Sequence, residues 1–227
     1  MSSNRAVILL SGGLDSLVSL AEAVNKGVSV SLALTFDYGQ RAVADEINAA
    51  REICKIYNIE HKVIKLPFLA EISNSALNKT ECNLEFDALD KESMKAVWVP
   101  NRNGLFLNIA ASFCDAEGYD CIIIGANKEE AGTFSDNSKK FCNIADEFFK
   151  YSTLNGVKVL TPLIELEKYE IINLALHLRV NLGILKSCYN AQGVLPGQNH
   201  CGVCESCKRL KAAILKSKNR DLIKLFF

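Results

Sequence analysis

Short apolar runs alternate with amphipathic stretches along most of the chain. Residues 6–10, 31–36, 62–66, 121–124 and 157–160 are continuously apolar or alternating, which predicts strands. Between them apolar positions fall at helical spacing. Val43, Ile47, Ala50, Cys54 and Tyr57 share one face at intervals of four and three. Phe106, Ile109, Ala110 and Phe113 share another, and a further helix is expected from about residue 166 to 178. Apolar strands separated by helices predict an α/β fold, a doubly wound parallel sheet covered on both faces.

After Gly183 the texture changes. Residues 187–207 are turn-rich, poor in core residues and hold four cysteines. A last helix is expected to begin near Cys204, with Leu210 and Ile214 on its buried face. The chain should therefore divide into a main domain over 1–183 and a small C-terminal helical metal-binding lobe over 184–227. Residues 71–96 are polar enough to be an insertion or a lid.

The first apolar run stops abruptly. Ser11-Gly12-Gly13-Leu14-Asp15-Ser16 intervenes before apolar residues return at helical spacing. Two glycines between strand and helix permit a tight turn that presents unpaired N–H groups outward. With the positive end of the helix dipole, these amides make an anion site. Each such interaction is worth about 0.3–1 kcal/mol when exposed, so several amides plus the Ser11 and Ser16 hydroxyls are needed to hold a polyphosphate. Asp15 sits badly beside phosphate unless a magnesium ion lies between them. The Gly-Lys-Ser/Thr ending of a Walker loop and the G-x-G-x-x-G dinucleotide fingerprint are both missing from this turn.

Cys188, Cys201, Cys204 and Cys207 form interlocked C-x-x-C spacings with a fourth cysteine nearby, set among Asn, Gln, Gly and His. Such a set suits four thiolates around one tetrahedral zinc, with an iron–sulfur cluster as the competing occupant. His200 adjoins Cys201 but reads as a bystander to a full thiolate set, and His61 and His177 read as structural. Of the other cysteines, Cys54, Cys114 and Cys121 fall on apolar faces. Cys82 and Cys142 are the candidates for a reactive thiol.

At 227 residues, 49% hydrophobic and with four prolines, the chain can bury a sizeable core. Its 26 basic and 26 acidic residues cancel, which argues against an electrostatic grip on nucleic acid. No apolar run approaches the roughly 20 residues that span a bilayer, and the stretch before the first turn is too short for a signal segment. The expectation is a soluble, cytoplasmic protein with reduced cysteines.

The 11–16 turn resembles the SGGxDS pyrophosphate loop of the PP-loop ATPases, or N-type ATP pyrophosphatases. These enzymes adenylate a substrate oxygen and let a nitrogen or sulfur nucleophile displace AMP. Phe36-Asp37-Tyr38-Gly39-Gln40-Arg41, the VPNRN stretch over 99–103 and the cysteine set extend the resemblance over nearly the whole chain. It is to the 7-cyano-7-deazaguanine (preQ0) synthase family of queuosine biosynthesis. The resemblance implies a PP-loop fold, a homodimer, one structural Zn2+ per chain, and conversion of 7-carboxy-7-deazaguanine to the nitrile with ATP, Mg2+ and ammonia.

It also implies roles for residues. Leu10, Ser11, Gly12, Gly13, Leu14, Asp15, Ser16, Leu17, Val18, Ser19 and Leu20 form the nucleotide-binding stretch. Asp15, Ser16 and Arg102 are the catalytic set, Arg102 as a fixed cation for carboxylate or phosphate. Tyr38, Gln40, Arg41, Arg102, Glu130 and Asp136 surround the substrate, with Glu130 or Asp136 accepting the ring N–H and amino donors of a deazaguanine. Over 130–138 the family reads close to DYSGYPDCR, whereas this chain reads EAGTFSDNS and keeps acids at 130 and 136. The rival reading is a tRNA-modifying PP-loop enzyme, a thiolase or a lysidine-type ligase. A zinc-ribbon adaptor without catalysis would have no use for the turn at Ser11.

Overall fold

The computed structural model describes residues 4–79, 81–82, 84–85, 95–190, 194 and 198–227. Five strands, β1 (Arg5–Leu9), β2 (Ser29–Asp37), β3 (Glu60–Lys65), β4 (Cys121–Ile123) and β5 (Lys158–Leu160), form a sheet in the order β3-β2-β1-β4-β5. All four neighbouring pairs are parallel. From β1 the chain adds β2 and β3 on one side, then returns to lay β4 and β5 on the other. That reversal opens a crevice outside the carboxyl ends of β1 and β4, where ligands of open α/β sheets bind.

Among the described residues nine helices connect and cover the strands: α1 (Leu14–Asn25), α2 (Val43–Tyr57), α3 (Phe68–Ile72), α4 (Arg102–Glu117), α5 (Lys128–Ala131), α6 (Lys139–Ser152), α7 (Lys168–His177), α8 (Glu205–Lys216) and α9 (Ile223–Phe226). Side chains alternate across the sheet. Ala6 and Ile8 of β1 pack in one layer with Leu17 of α1, Ile53 of α2, Ile171 of α7 and Ile214 of α8. Val7 and Leu9 pack in the other with Phe106, Leu107 and Ala110 of α4 and Cys142 and Phe149 of α6. Burial on both faces is why β1 reads as an unbroken apolar run.

Two helices depart from the expected pattern. In α4 the buried side is Asn103, Phe106, Leu107, Ala110, Ala111 and Cys114, whereas Ile109 and Phe113 are half-buried. This helix lies against β1, β4 and α6 at once, so its cover is wider than a single stripe. Helix α6 was not among the expected helices: Cys142 and Phe149 are buried on its inner side with Phe141 and Ala145 packed beside them, while Ile144, Phe148 and Tyr151 stay exposed. Its start is marked chemically instead: the Ser138 hydroxyl accepts the Phe141 N–H at 3.1 Å.

The C-terminal segment is stitched to the rest. Leu210, Ala213, Ile214 and Phe226 join the layer that contains α1. The Lys186 N–H donates to the Gly12 carbonyl at 2.9 Å, across the expected boundary at residue 183. The insertion or lid expected over 71–96 falls partly on residues 80, 83 and 86–94, outside the described residues. Among the described residues no helix is long and apolar enough to cross a membrane.

Candidate active site and metal centre

The turn between β1 and α1 is built as its composition requires. Gly12 has φ +79°, and a Cβ there would lie 2.6 Å from Cβ of Ala49 on α2. Both conformation and space demand glycine. Gly13 caps α1 in extended conformation with no side-chain hydrogen bond, which leaves the first amides of the helix without intrahelical partners. The Ser11 hydroxyl accepts the Gly13 N–H at 3.3 Å, and the Ser16 hydroxyl donates to the Gly13 carbonyl at 3.1 Å. From the other side, the loop after β4 approaches so closely that a Cβ on Gly125 would lie 3.0 Å from the Ser16 nitrogen.

These loops floor a cleft of about 220 Å³. Leu10, Ser11, Gly13, Leu14, Asp15 and Ser16 line it, and Gly12 backs the turn against α2. Leu17, Val18, Ser19 and Leu20 are buried behind the turn, in the core side of α1, and do not line the cleft. Lys186, Ser187, Tyr189 and Ser206 close one wall, so the C-terminal segment is part of the site.

The end of β2 supplies the apolar side. Phe36 stacks on Phe106 with ring centres 3.9 Å apart and 5° from parallel. Arg102, the first residue of α4, donates to the Tyr38 hydroxyl at 3.1 Å, and both line the cleft. Gln40 and Arg41 do not line it. Buried Gln40 pins the turn: its carbonyl accepts the Tyr38 N–H at 2.9 Å, and its amide donates to the Phe36 carbonyl and to Glu46 at 2.8 Å each. Arg41 donates to the Cys82 carbonyl at 3.0 Å and to Asn190 at 3.1 Å, tying distant loops together.

The floor is a run of alternating charge. Lys168 on α7 places its ammonium 3.1 Å from Asp15 and 2.8 Å from Glu130. Burial pushes the Asp15 carboxyl up to about 6, against the pull of Lys168, and its Oδ1 is buried without a hydrogen-bond partner. Burial also opposes ionisation of Glu130, but Lys168 and Arg209 overcome it and hold that carboxyl down to about 2. Lys168 was not legible as a site residue. Its one signal is position: like Arg102 it is a cation in the first turn of a helix, the end where the dipole disfavours positive charge.

A second cavity of about 40 Å³ adjoins the cleft. Trp98 and Phe134 line it with rings 6.3 Å apart and 15° from parallel, and half-buried Asp136 lies beside them. Arg102, Glu130, Asn137 and Tyr189 line both cavities and form their common wall.

The four cysteines come together in a group that could hold a metal ion, with all Sγ atoms within 4.8 Å of one another. Cys188 and Cys204 are 4.0 Å apart, and Cys201 and Cys207 3.9 Å. Hydrogen bonds from Cys188 and Cys207 drive Cys204 toward thiolate. His200 is no part of the set: its Nε2 accepts the Ser187 N–H at 3.1 Å, and its ring packs on Phe226 and Phe227. Cys142 proves to be a core residue, its thiol pushed up to about 11 by burial.

The family described as Queuosine biosynthesis protein QueC matches residues 5–218. A 7-cyano-7-deazaguanine synthase from Methanosarcina mazei is 45% identical over 216 residues, covering 90% of this chain and 91% of its own. One from Carboxydothermus hydrogenoformans is 47% identical over 215 residues, covering 92% and 97%. Among solved structures, the U34-tRNA thiolase NcsA from Methanococcus maripaludis, with its [4Fe-4S] cluster, gives a TM-score of 0.48 at 20% identity, over 99% of this chain and 70% of that one. With that family matched across nearly its whole length, the chain belongs to the QueC family of queuosine biosynthesis proteins.

Proposed function

We propose that this chain is a 7-cyano-7-deazaguanine synthase, which converts 7-carboxy-7-deazaguanine and ammonia to the nitrile at the expense of ATP. The observation that carries the reading is the common wall between the two cavities. A phosphate-binding helix N-terminus floors the larger one and an aromatic pair with a carboxylate lines the smaller. ATP lies in the first, its polyphosphate on the amides of Leu14, Asp15 and Ser16 and its base toward Phe36 and Phe106. The deazaguanine lies at the common wall, its carboxylate directed to Arg102 and its ring edge turned toward the smaller cavity.

The chemistry follows from the placement. A substrate carboxylate oxygen attacks the α-phosphorus and pyrophosphate leaves. Ammonia then attacks the acyl carbon, AMP departs and a proton is lost, giving the amide. A second adenylation, now of the amide oxygen, lets AMP leave as the nitrogen loses its protons. Protein groups position and balance charge rather than react covalently. The buried, partnerless oxygen of Asp15 suits a hard cation such as Mg2+, which would neutralise phosphate charge there. Only ionised Asp15 serves that role, so kcat/KM for AMP release should fall as pH drops through about 6, the pKa of the free enzyme. A profile flat to well below that pH would remove Asp15 from the role.

For substrate reading we assign Asp136 rather than Glu130, whose Oε1 is already held by Lys168. Leaving the deazaguanine's buried donors unpaired costs about 1–3 kcal/mol, so Asp136→Asn should raise KM for the deazaguanine by roughly tenfold and leave KM for ATP unchanged. An unchanged deazaguanine KM contradicts the assignment.

Zinc is our assignment for the cysteine site. Four sulfurs at about 2.3 Å from one tetrahedral ion stand about 3.8 Å apart, near the separations here. In a four-iron cluster each thiolate binds a different iron, which spreads the sulfurs further. A homodimer in the cytoplasm completes the reading.

Sulfur transfer needs an ionisable, accessible thiol. Burial raises the thiols of Cys54, Cys114, Cys121 and Cys142 to about 11 or 12, and Cys82 is the half-buried one left outside the metal site. Cys82→Ser should therefore keep full nitrile-forming activity. Collapse of turnover in that variant would favour the tRNA-thiolase reading.

A further inference from the structure

Helix α8 starts inside the metal site: Cys204 is its N-cap and Cys207 lies in its first turn. Two residues beyond Cys207, on the second turn, Arg209 is buried, and it also lines the smaller cavity. Its Nε meets Glu205, one turn back on the same helix and also buried. Its Nη1 lies 3.6 Å from Glu130, which holds Lys168, which in turn holds Asp15 in the nucleotide loop. Five side chains of alternating sign thus run unbroken from the metal site to the phosphate-binding turn.

The cost of this arrangement is informative. Burying an arginine and a glutamate on α8 is expensive, and a lobe that needed only to fold would do as well with apolar side chains there. What the charges add is direction. Glu130 sits on the four-residue helix α5, whose own hydrogen bonds cannot fix its side chain, and no residue of α5 is buried. Lys168 and Arg209 fix that carboxylate from two sides. Without Arg209, Glu130 would be free to follow Lys168, and the ammonium would lose the contact that balances Asp15.

We propose that Arg209 is a positioning residue through which the metal lobe holds Glu130, and by way of it Lys168, in register with the nucleotide loop. The metal lobe on this account sets active-site geometry as well as stability. The inference rests on the synthase reading of the cleft.

The test compares full-length, metal-loaded Arg209→Met and Arg209→Lys with the parent protein. Zinc per chain, kcat for AMP release, KM for ATP and KM for the deazaguanine are measured in each, because Arg209 also lines the smaller cavity. A displacement near 1 Å at the reacting groups costs about 10²-fold. Arg209→Met should accordingly lose about that factor in kcat while keeping its zinc and holding both KM values within about threefold. A deazaguanine KM raised in step with the kcat loss would make Arg209 a substrate contact and overturn the positioning role. Arg209→Lys, which keeps the charge, should regain at least a tenth of the parent kcat. If Arg209→Met cannot be folded, Glu205→Gln replaces it: the guanidinium keeps its neighbour's shape but loses its charge, and kcat should fall several-fold with zinc retained. Unchanged kcat in the variant used, or a loss of turnover matched by loss of zinc, overturns the relay. A parent protein that releases no AMP defeats the functional reading and the relay together, whereas an active parent beside an unaffected variant defeats the relay alone.

Discussion

Cys204→Ser should yield protein that is both free of zinc and insoluble. The Cys204 sulfur is fully buried and lies 4.0 Å from that of Cys188. Serine offers a poor ligand there and an unpaired hydroxyl in an apolar layer. Structural zinc in small peptides is worth about 10–16 kcal/mol, as much as the whole stability of a typical domain at about 5–15 kcal/mol. The segment that carries the cysteines also supplies Lys186, Ser187 and Tyr189 to the cleft wall, so its collapse would open the site as well. Metal analysis beside soluble yield checks the expectation. A soluble, active Cys204→Ser protein would mean that the cysteine site does not hold the lobe together.

Lys168→Met should abolish turnover. Lys168 is 8% exposed and its ammonium lies between two carboxylates, so its removal leaves Asp15 and Glu130 facing each other in a partly dry cleft. Breaking a buried ion pair from one side costs about 3–5 kcal/mol of stability, and losing one preorganised cation at the reacting phosphate costs about 10²–10³ in kcat. The two effects are separable. A melting curve reports the first, and AMP release below the variant's melting point reports the second. Turnover within tenfold of the parent in folded Lys168→Met would remove the ammonium from the chemistry.

Much of the frame was legible in the sequence. Strands buried on both faces write themselves as apolar runs, and the turn at 11–16 stands out because an ordinary strand-to-helix turn would tolerate its two glycines but has no use for Ser11, Asp15 and Ser16. The four cysteines were equally plain, since C-x-x-C spacing survives translation into geometry. What escaped was set by tertiary contact. Gln40 and Arg41 look like pocket residues in sequence, yet they bond to the Phe36 and Cys82 carbonyls and hold the frame. Lys168 lies more than 150 residues from Asp15 along the chain, and nothing local says that the two meet. Arg209 reads as one more solvated cation on a basic helix until its burial is seen. Glu130 and Asp136 looked equivalent by type, and only their neighbours separate them.

The account stands most directly on what the protein makes. Purified, zinc-loaded protein would be incubated with ATP, Mg2+, isotopically labelled ammonium and 7-carboxy-7-deazaguanine, and the small molecules resolved by mass. The expected result is 7-cyano-7-deazaguanine carrying the labelled nitrogen, together with AMP and pyrophosphate. Release of ADP and phosphate in place of AMP, or recovery of the deazaguanine carboxylate unchanged while ATP is consumed, would contradict it.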